Sequence, residues 1–415
     1  MTEPIRFHSQ GRPRAEIESE LARMAETDAD WRHGRVPLYV FGSTQDVADV
    51  GREAFMRFFT ENALGGKRAF SSLKRMEEEV IAMALDLFHG RESSTGNMTT
   101  GGTESIVMAL KACRDWNRKR RGVPNHRGNI VLPVTAHPAF EKGASLMDIE
   151  IRRVPVTSAL RADPKAMAEF IDADTIMIVG SVPCFPHGVV DPIPELSQLA
   201  VDKSVWLHVD ACVGGYVAHS ARELGAPIPD FDFALPGVAS LSADLHKFGF
   251  CPKPASTVFF RDSERAAAQT FDFDVWPSGR FTTSTLVGTR PGGGVSGAWA
   301  VLNFLGRDGY RDITRRLLAM RDAYVAGINA LPGMRVYGAP DLSVISFGSD
   351  RVDISHVAEG MAARGWVPGM IRTPPGLHMM MSLLHEPVRE QYLKDLASAL
   401  AEARPAVGKT VQAVY

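Results

Sequence analysis

A chain of 415 residues, at about 150 per domain, predicts two or three domains and a large core that needs no cross-links. Hydrophobic residues make up 45% and charged residues 23%, and 46 Lys and Arg against 48 Asp and Glu leave a net charge of −2. That balance excludes a strongly basic chain held to nucleic acid by phosphate neutralisation, and it excludes an acidic, aromatic-poor disordered chain.

The N-terminal stretch MTEPIRFHSQGRPRAEIESE has no apolar run and does not read as a signal peptide. An amphipathic segment covers Ile17 to Met24, followed by HGRVPLYVFGS with its Gly and Pro. Leu73, Met76, Val80, Met83 and Leu87 then recur at steps of three and four, with Glu77, Glu78 and Glu79 between, which predicts a long helix. From there strands NIVLPV, IRRVPV, TIMIVG, VWLHVD, VASLS and STVFF alternate with helical patterns such as SIVMALKACRDWNRK and IPELSQLAV. The alternation predicts an α/β fold with a mostly parallel sheet, whose ligand lies outside the carboxyl ends of the strands.

After about residue 300 the texture changes. AWAVLNFLGRDGYRDITRRLLAMRDAYVAGINAL reads as one or two long helices. RVYGA, LSVISFGS, a helix over His356 to Arg364, GWVPGMI and HMMMSLL then suggest a small C-terminal α+β domain. The expected division is an N-terminal segment 1–60, a large domain 61–300 and a small domain 301–415. Cys113, Cys184, Cys212 and Cys251 stand apart from one another, which fits a reducing compartment, and no spacing marks a metal site. No apolar run approaches the roughly 20 residues of a membrane helix. The expectation is a cytoplasmic protein without an integral membrane segment.

Four strand-end signals could carry chemistry. In SLSADLHKFGFCPK, Lys247 follows strand VASLS with His246 before it. A buried ammonium is costly unless neutralised or linked, and a Schiff base with pyridoxal phosphate is one such linkage; an exposed loop lysine is the plain alternative. In TTGGTESIVMALKA, Gly101, Gly102 and Thr103 open a helix led by Glu104 and Ser105, a natural anion site, or a glycine-rich start capped by Thr103. In VWLHVDACVGG, Asp210 ends an apolar strand and could pair with a protonated ring nitrogen, or serve as a cap or metal ligand. His137, in VLPVTAHPAFEKGA, could stack on a heteroaromatic ring or be an ordinary loop histidine. An aldehyde cofactor with a phosphate and a ring nitrogen would use all four.

With these strings in their order, the chain resembles pyridoxal-phosphate enzymes of aspartate-aminotransferase-like fold (fold type I). The branch is that of the group II decarboxylases, and within it the sphingosine-1-phosphate lyases. The resemblance runs from about Gly34 to near the C-terminus, on LKRMEEEV, TTGGTESIVMALKA, TAHPAFEKGA, GSVPCFPHGVVDPIPEL, LHVDACVGG, SADLHKFGFCPK, STLVGTRPGGG and LSVISFGS. It implies a large seven-stranded sheet domain, pyridoxal 5′-phosphate, and a homodimer with shared active sites. Lys247 would be the Schiff-base lysine, with Asp210 on the ring nitrogen and His137 on the ring face. Gly101, Gly102, Thr103, Ser242 and His246 would surround the cofactor, with Thr289 reaching the neighbouring subunit's phosphate. Asn62, Lys253, Phe41 and Phe281 would face the substrate, a small-molecule amine.

The chain departs from the family in having Phe248 after the lysine, Phe41 (with Tyr39 close by) and Phe281, where the family has tyrosines. It also has Gly65 at the place of a histidine. The implied reaction is carbon–carbon cleavage of a 3-hydroxy amine, a long-chain base phosphate, to an aldehyde and a small amine, with reduced dependence on the substrate phosphate. The alternative is amino-acid decarboxylation, for which Arg372 is the candidate carboxylate partner. A non-catalytic relative is opposed by Lys247, Asp210 and His137 standing together.

Overall fold

The computed structural model describes residues 4–406; residues 1–3 and 407–415 of the expected outer segments lie outside them. The N-terminal part holds α1 (Arg14–Ala25), α2 (Gln45–Arg57) and α3 (Ser71–Leu87). The central part runs β1 (Thr95–Thr99), α4 (Gly102–Arg121), β2 (Asn129–Pro133), α5 (Ala139–Met147), β3 (Glu150–Val154), α6 (Pro164–Glu169) and β4 (Thr175–Ser181). It continues with α7 (Ile193–Lys203), β5 (Trp206–Asp210), α8 (Gly215–Glu223), β6 (Val238–Ala243), β7 (Ser256–Phe260) and α9 (Ser263–Ala267). The hairpin β8 (Phe271–Phe273) and β9 (Phe281–Thr283) leads to α10 (Gly292–Asn329). The last part is β10 (Arg335–Val336), β11 (Val344–Gly348), α11 (Ile354–Ala363), β12 (Gly369–Arg372), β13 (Pro375–Met380) and α12 (Arg389–Glu402).

The expected α/β class and mostly parallel sheet are borne out. Seven strands order as β1-β7-β6-β5-β4-β2-β3, parallel from β3 through β6, with β7 antiparallel to both β6 and β1. β2, β4, β5, β6 and β7 are buried along their whole length, as strands covered on both faces must be. Alternate residues feed the two layers: Val258 and Phe260 pack with α4 and α5, and Phe259 packs on the other face with α3 and α8. Each buried Leu, Ile or Phe of this core contributes about 1.5–3 kcal/mol.

The second sheet, β10-β11-β13-β12, is fully antiparallel and forms the small C-terminal unit with α11 and α12. α10 leaves helical geometry at Gly306 (φ 54°), which is why the sequence reads as one helix or two. β1 (TGNMT) and α2 escaped sequence reading. β1 has no apolar alternation and owes its place to pairing with β7. α2 is seated by Gly51, where a Cβ would come within 3.1 Å of Pro252 and Val301.

Candidate active site

β1, β2, β5 and β6 point the same way, so their carboxyl ends meet at one edge of the sheet. Ser181, Asp210 and Ser242 lie level across β4, β5 and β6. Immediately beyond this edge stand the α4 start, His137, Asp210 and the turn bearing Lys247.

The α4 start has Gly101 as N-cap and no side-chain cap, so Thr103 does not cap it and its first-turn N–H groups are open to an anion. At Gly102 a Cβ would lie 2.8 Å from Asp244 Oδ2 and 2.9 Å from Cys212 Sγ, and at Gly101 it would lie 3.5 Å from His246. Only glycine lets the backbone sit this close to both neighbours. Glu104, buried in the first turn, accepts from Thr100 N–H at 2.7 Å and from Leu286 N–H at 2.9 Å. It thereby holds the 285–290 loop against the cradle.

Lys247 Nζ lies 2.9 Å from Asp244 Oδ2. Burial disfavours the ammonium, but the Asp244 carboxylate outweighs it and raises the lysine's pKa. Burial likewise works against the Asp244 carboxylate, and Lys247 and His246 together hold its pKa below the ordinary value. Asp244 also accepts from Ser256 Oγ, which joins Ser105 at 2.9 Å and, through it, Thr99 at 2.6 Å. His246 accepts from Ala255 N–H at 3.1 Å through Nδ1, and burial lowers its pKa.

Asp210 is 7% exposed and accepts from Cys212 N–H at 3.1 Å. His137 follows β2; its Nδ1 accepts from Ala139 N–H at 3.1 Å and its ring meets Phe185 edge-on at 5.9 Å. Burial lowers the His137 pKa against the opposing pull of Asp210, which leaves a neutral imidazole at pH 7. Ser242 is fully buried, between His208 at 3.2 Å and Cys212 at 3.2 Å, so its hydroxyl braces the strand ends.

The residues expected on the substrate side fall into two groups. Lys253 Nζ donates to the Tyr39 carbonyl at 3.0 Å and sits 5.8 Å over the Phe41 ring, which packs edge-on against Phe248 at 5.1 Å. This group covers the Lys247 turn, and burial lowers the Lys253 pKa. Asn62 donates to exposed Thr289 Oγ1 at 3.3 Å and accepts from Arg290 N–H at 3.2 Å, while Phe281 packs with Trp276 and Phe271 on the hairpin. A Cβ at Gly65 would press on Phe70 at 3.0 Å, so this backbone has little room for a larger residue there. Arg372 closes β12 of the small sheet and is exposed.

Sequence reasoning missed Asp244, Glu104 and Cys212 as members of the site. Asp244 stands three residues before Lys247 in the same string, a spacing that brings two side chains together in a turn. The donor set suits a phosphorylated pyridine aldehyde. It offers an anion cradle of free N–H groups, a partly buried amine, a strand-end carboxylate and a flat neutral ring.

Residues 72–349 match the pyridoxal-dependent decarboxylase conserved domain. Curated relatives include a sphingosine-1-phosphate lyase of Oryza sativa subsp. japonica, 38% identical over 93% of this chain and 72% of its own length. One from Arabidopsis thaliana is 40% identical over 80% of this chain and 61% of its own. A solved structure of a Burkholderia pseudomallei sphingosine-1-phosphate lyase superposes with a TM-score of 0.92 at 36% identity, covering 97% of this chain and 93% of that one. A Lactobacillus brevis glutamate decarboxylase, at 19% identity and TM-score 0.84 over 97% of this chain and 95% of its own, shares the fold.

Proposed function

The chain belongs to the pyridoxal-dependent decarboxylase family and, within it, to the sphingosine-1-phosphate lyases; on that premise we propose that it cleaves the C2–C3 bond of a long-chain 3-hydroxy amine phosphate. It is a pyridoxal-phosphate-dependent lyase. The single observation that carries the reading of the site is the Lys247–Asp244 pair set against the open start of α4.

Pyridoxal phosphate, when bound, supplies the electron sink for the bond that breaks. Gly101, Gly102 and Thr103 would give N–H groups to its phosphate, with His246 beside them. Lys247 would hold it covalently, Asp210 would keep a proton on its ring nitrogen, and His137 would offer a flat uncharged surface to the ring. Lys253 and Asn62 bind the polar end of the substrate, with Phe41 and Phe281 beside it. In the overall reaction the 3-hydroxyl loses its proton, C2–C3 breaks, C3 leaves as an aldehyde and C2 takes a proton to give the small amine.

The reading includes a cytoplasmic homodimer in which Thr289 serves the partner's site. What supports the location is coarser: among the described residues, no helix is long and apolar enough to cross a membrane. The deciding experiment assays aldehyde and carbon dioxide together, with long-chain 3-hydroxy amines, phosphorylated and not, beside ordinary amino acids. Aldehyde release is the expected outcome; carbon dioxide without aldehyde would hand the function to decarboxylation.

A further inference from the structure

Among the described residues, one trio of metal-capable side chains gathers on the face of the sheet that carries α3 and α8, outside the Lys247 site. His89 follows α3, His219 lies on α8 and Asp232 sits in the loop before β6, and their ligand atoms all lie within 4.8 Å of one another. The sequence hides the trio because His89 and Asp232 are 143 residues apart.

Both histidines converge on one oxygen. His89 Nδ1 is 2.9 Å and His219 Nε2 is 3.0 Å from Asp232 Oδ2. The other oxygen, Oδ1, accepts from Ala234 N–H at 2.9 Å and is thereby fixed. Asp232 is 1% exposed. His219 Nε2 is buried and faces Asp232 Oδ2 at 3.0 Å without a well-aligned hydrogen bond. A cation held between them would give this buried ring nitrogen a partner along its lone pair.

The rings are held for this purpose. His219 packs against Phe231 at 4.8 Å, Phe88 at 6.0 Å and His89 at 5.3 Å. His89 stands at φ 51°, in the left-handed region that non-glycine residues seldom adopt. Its half-exposed side chain leaves one side of the trio open to water.

We propose that His89, His219 and Asp232 form a binding site for a divalent transition metal of the zinc class, completed by water on the solvent side. Two imidazoles and a carboxylate are a donor set that zinc accepts. Tetrahedral zinc with bonds of about 2.0–2.2 Å places its ligand atoms about 3.4 Å apart, so the 2.9 and 3.0 Å separations need open by only about half an ångström. The metal would tie the end of α3, α8 and the 228–235 loop together at the point where Phe233 N–H meets the Phe88 carbonyl at 3.3 Å.

The test uses tag-free holoenzyme, treated with chelator, desalted and titrated with zinc chloride against a chromophoric competitor. One zinc per chain should bind, with the unfolding temperature rising by several degrees at saturation. The cofactor absorbance should not change, which separates this site from His137 and His246. His89→Gln, an exposed change that should not disturb folding, should weaken binding at least tenfold, and Asp232→Asn likewise. No stoichiometric zinc, or binding equally tight in His89→Gln, would overturn the proposal.

Discussion

Lys247 and Asp244 form an ion pair of 2.9 Å between a partly buried ammonium and a fully buried carboxylate, so each charge depends on the other for its place in the interior. As the proposed anchor of the cofactor, Lys247 is therefore stored as an ammonium rather than as the free amine that would react.

The first expectation follows from the sign of that effect. Covalent capture of the cofactor needs the neutral amine, and below the raised pKa its fraction grows tenfold per pH unit. Capture by the apoenzyme should therefore accelerate as pH rises. In Asp244→Asn the largest opposing pull is gone and burial, which lowers the lysine's pKa, meets only the weaker pulls of Cys212 and Asp210, so the profile should move to lower pH. Stopped-flow absorbance on both apoenzymes measures this; superimposable profiles would refute the role of Asp244. Borohydride should fix the pyridoxyl label on Lys247.

Asp210→Ala should remove the partner of the ring nitrogen while leaving the phosphate cradle intact. Turnover should fall at least ~10²-fold, the scale of a lost catalytic electrostatic partner. Near wild-type turnover would sink the assignment.

Gly102→Ala places a methyl 2.8–2.9 Å from Asp244 and Cys212. The overpacking should cost about 1–3 kcal/mol and weaken cofactor affinity about tenfold or more. Equilibrium dialysis gives the affinity, and circular dichroism checks that the fold persists.

A shared site predicts complementation. Thr289→Ala and Lys247→Ala, each inactive alone, should recover up to about a quarter of wild-type activity when mixed as subunits, since half of the dimers then carry one whole site. Sedimentation of an active monomer would overturn the arrangement.

Phe281→Tyr or Phe41→Tyr should return a hydrogen bond toward the substrate's phosphate. Such a bond to a charged group contributes about 1.5–3 kcal/mol, so kcat/KM for the phosphorylated long-chain base should rise about tenfold or more. An unchanged ratio between phosphorylated and plain substrates would remove these rings from the phosphate site.

The parallel sheet was legible because its strands are short apolar runs alternating with helical periodicity, and a strand buried on both faces announces itself that way. Lys247, Asp210 and His137 stood out as polar residues ending such runs. Asp244 did not, since an acid beside a basic pair reads as loop solvation until the turn brings it onto Lys247. β1 was invisible for the opposite reason: TGNMT carries no local signal, and its place comes from β7, some 160 positions away in register. The His89–His219–Asp232 trio depends wholly on tertiary folding.

Glu104 reaches Leu286 across 182 residues of chain, and it holds Leu286 through a backbone N–H rather than a side chain. Most substitutions at 286 and 287 therefore leave that attachment intact, and the loop can vary its chemistry without losing its anchor. Proline is barred at 286, because it has no N–H to give. Substrate preference can thus drift along this loop by side-chain exchange, whereas a change at Glu104 would release every version of it.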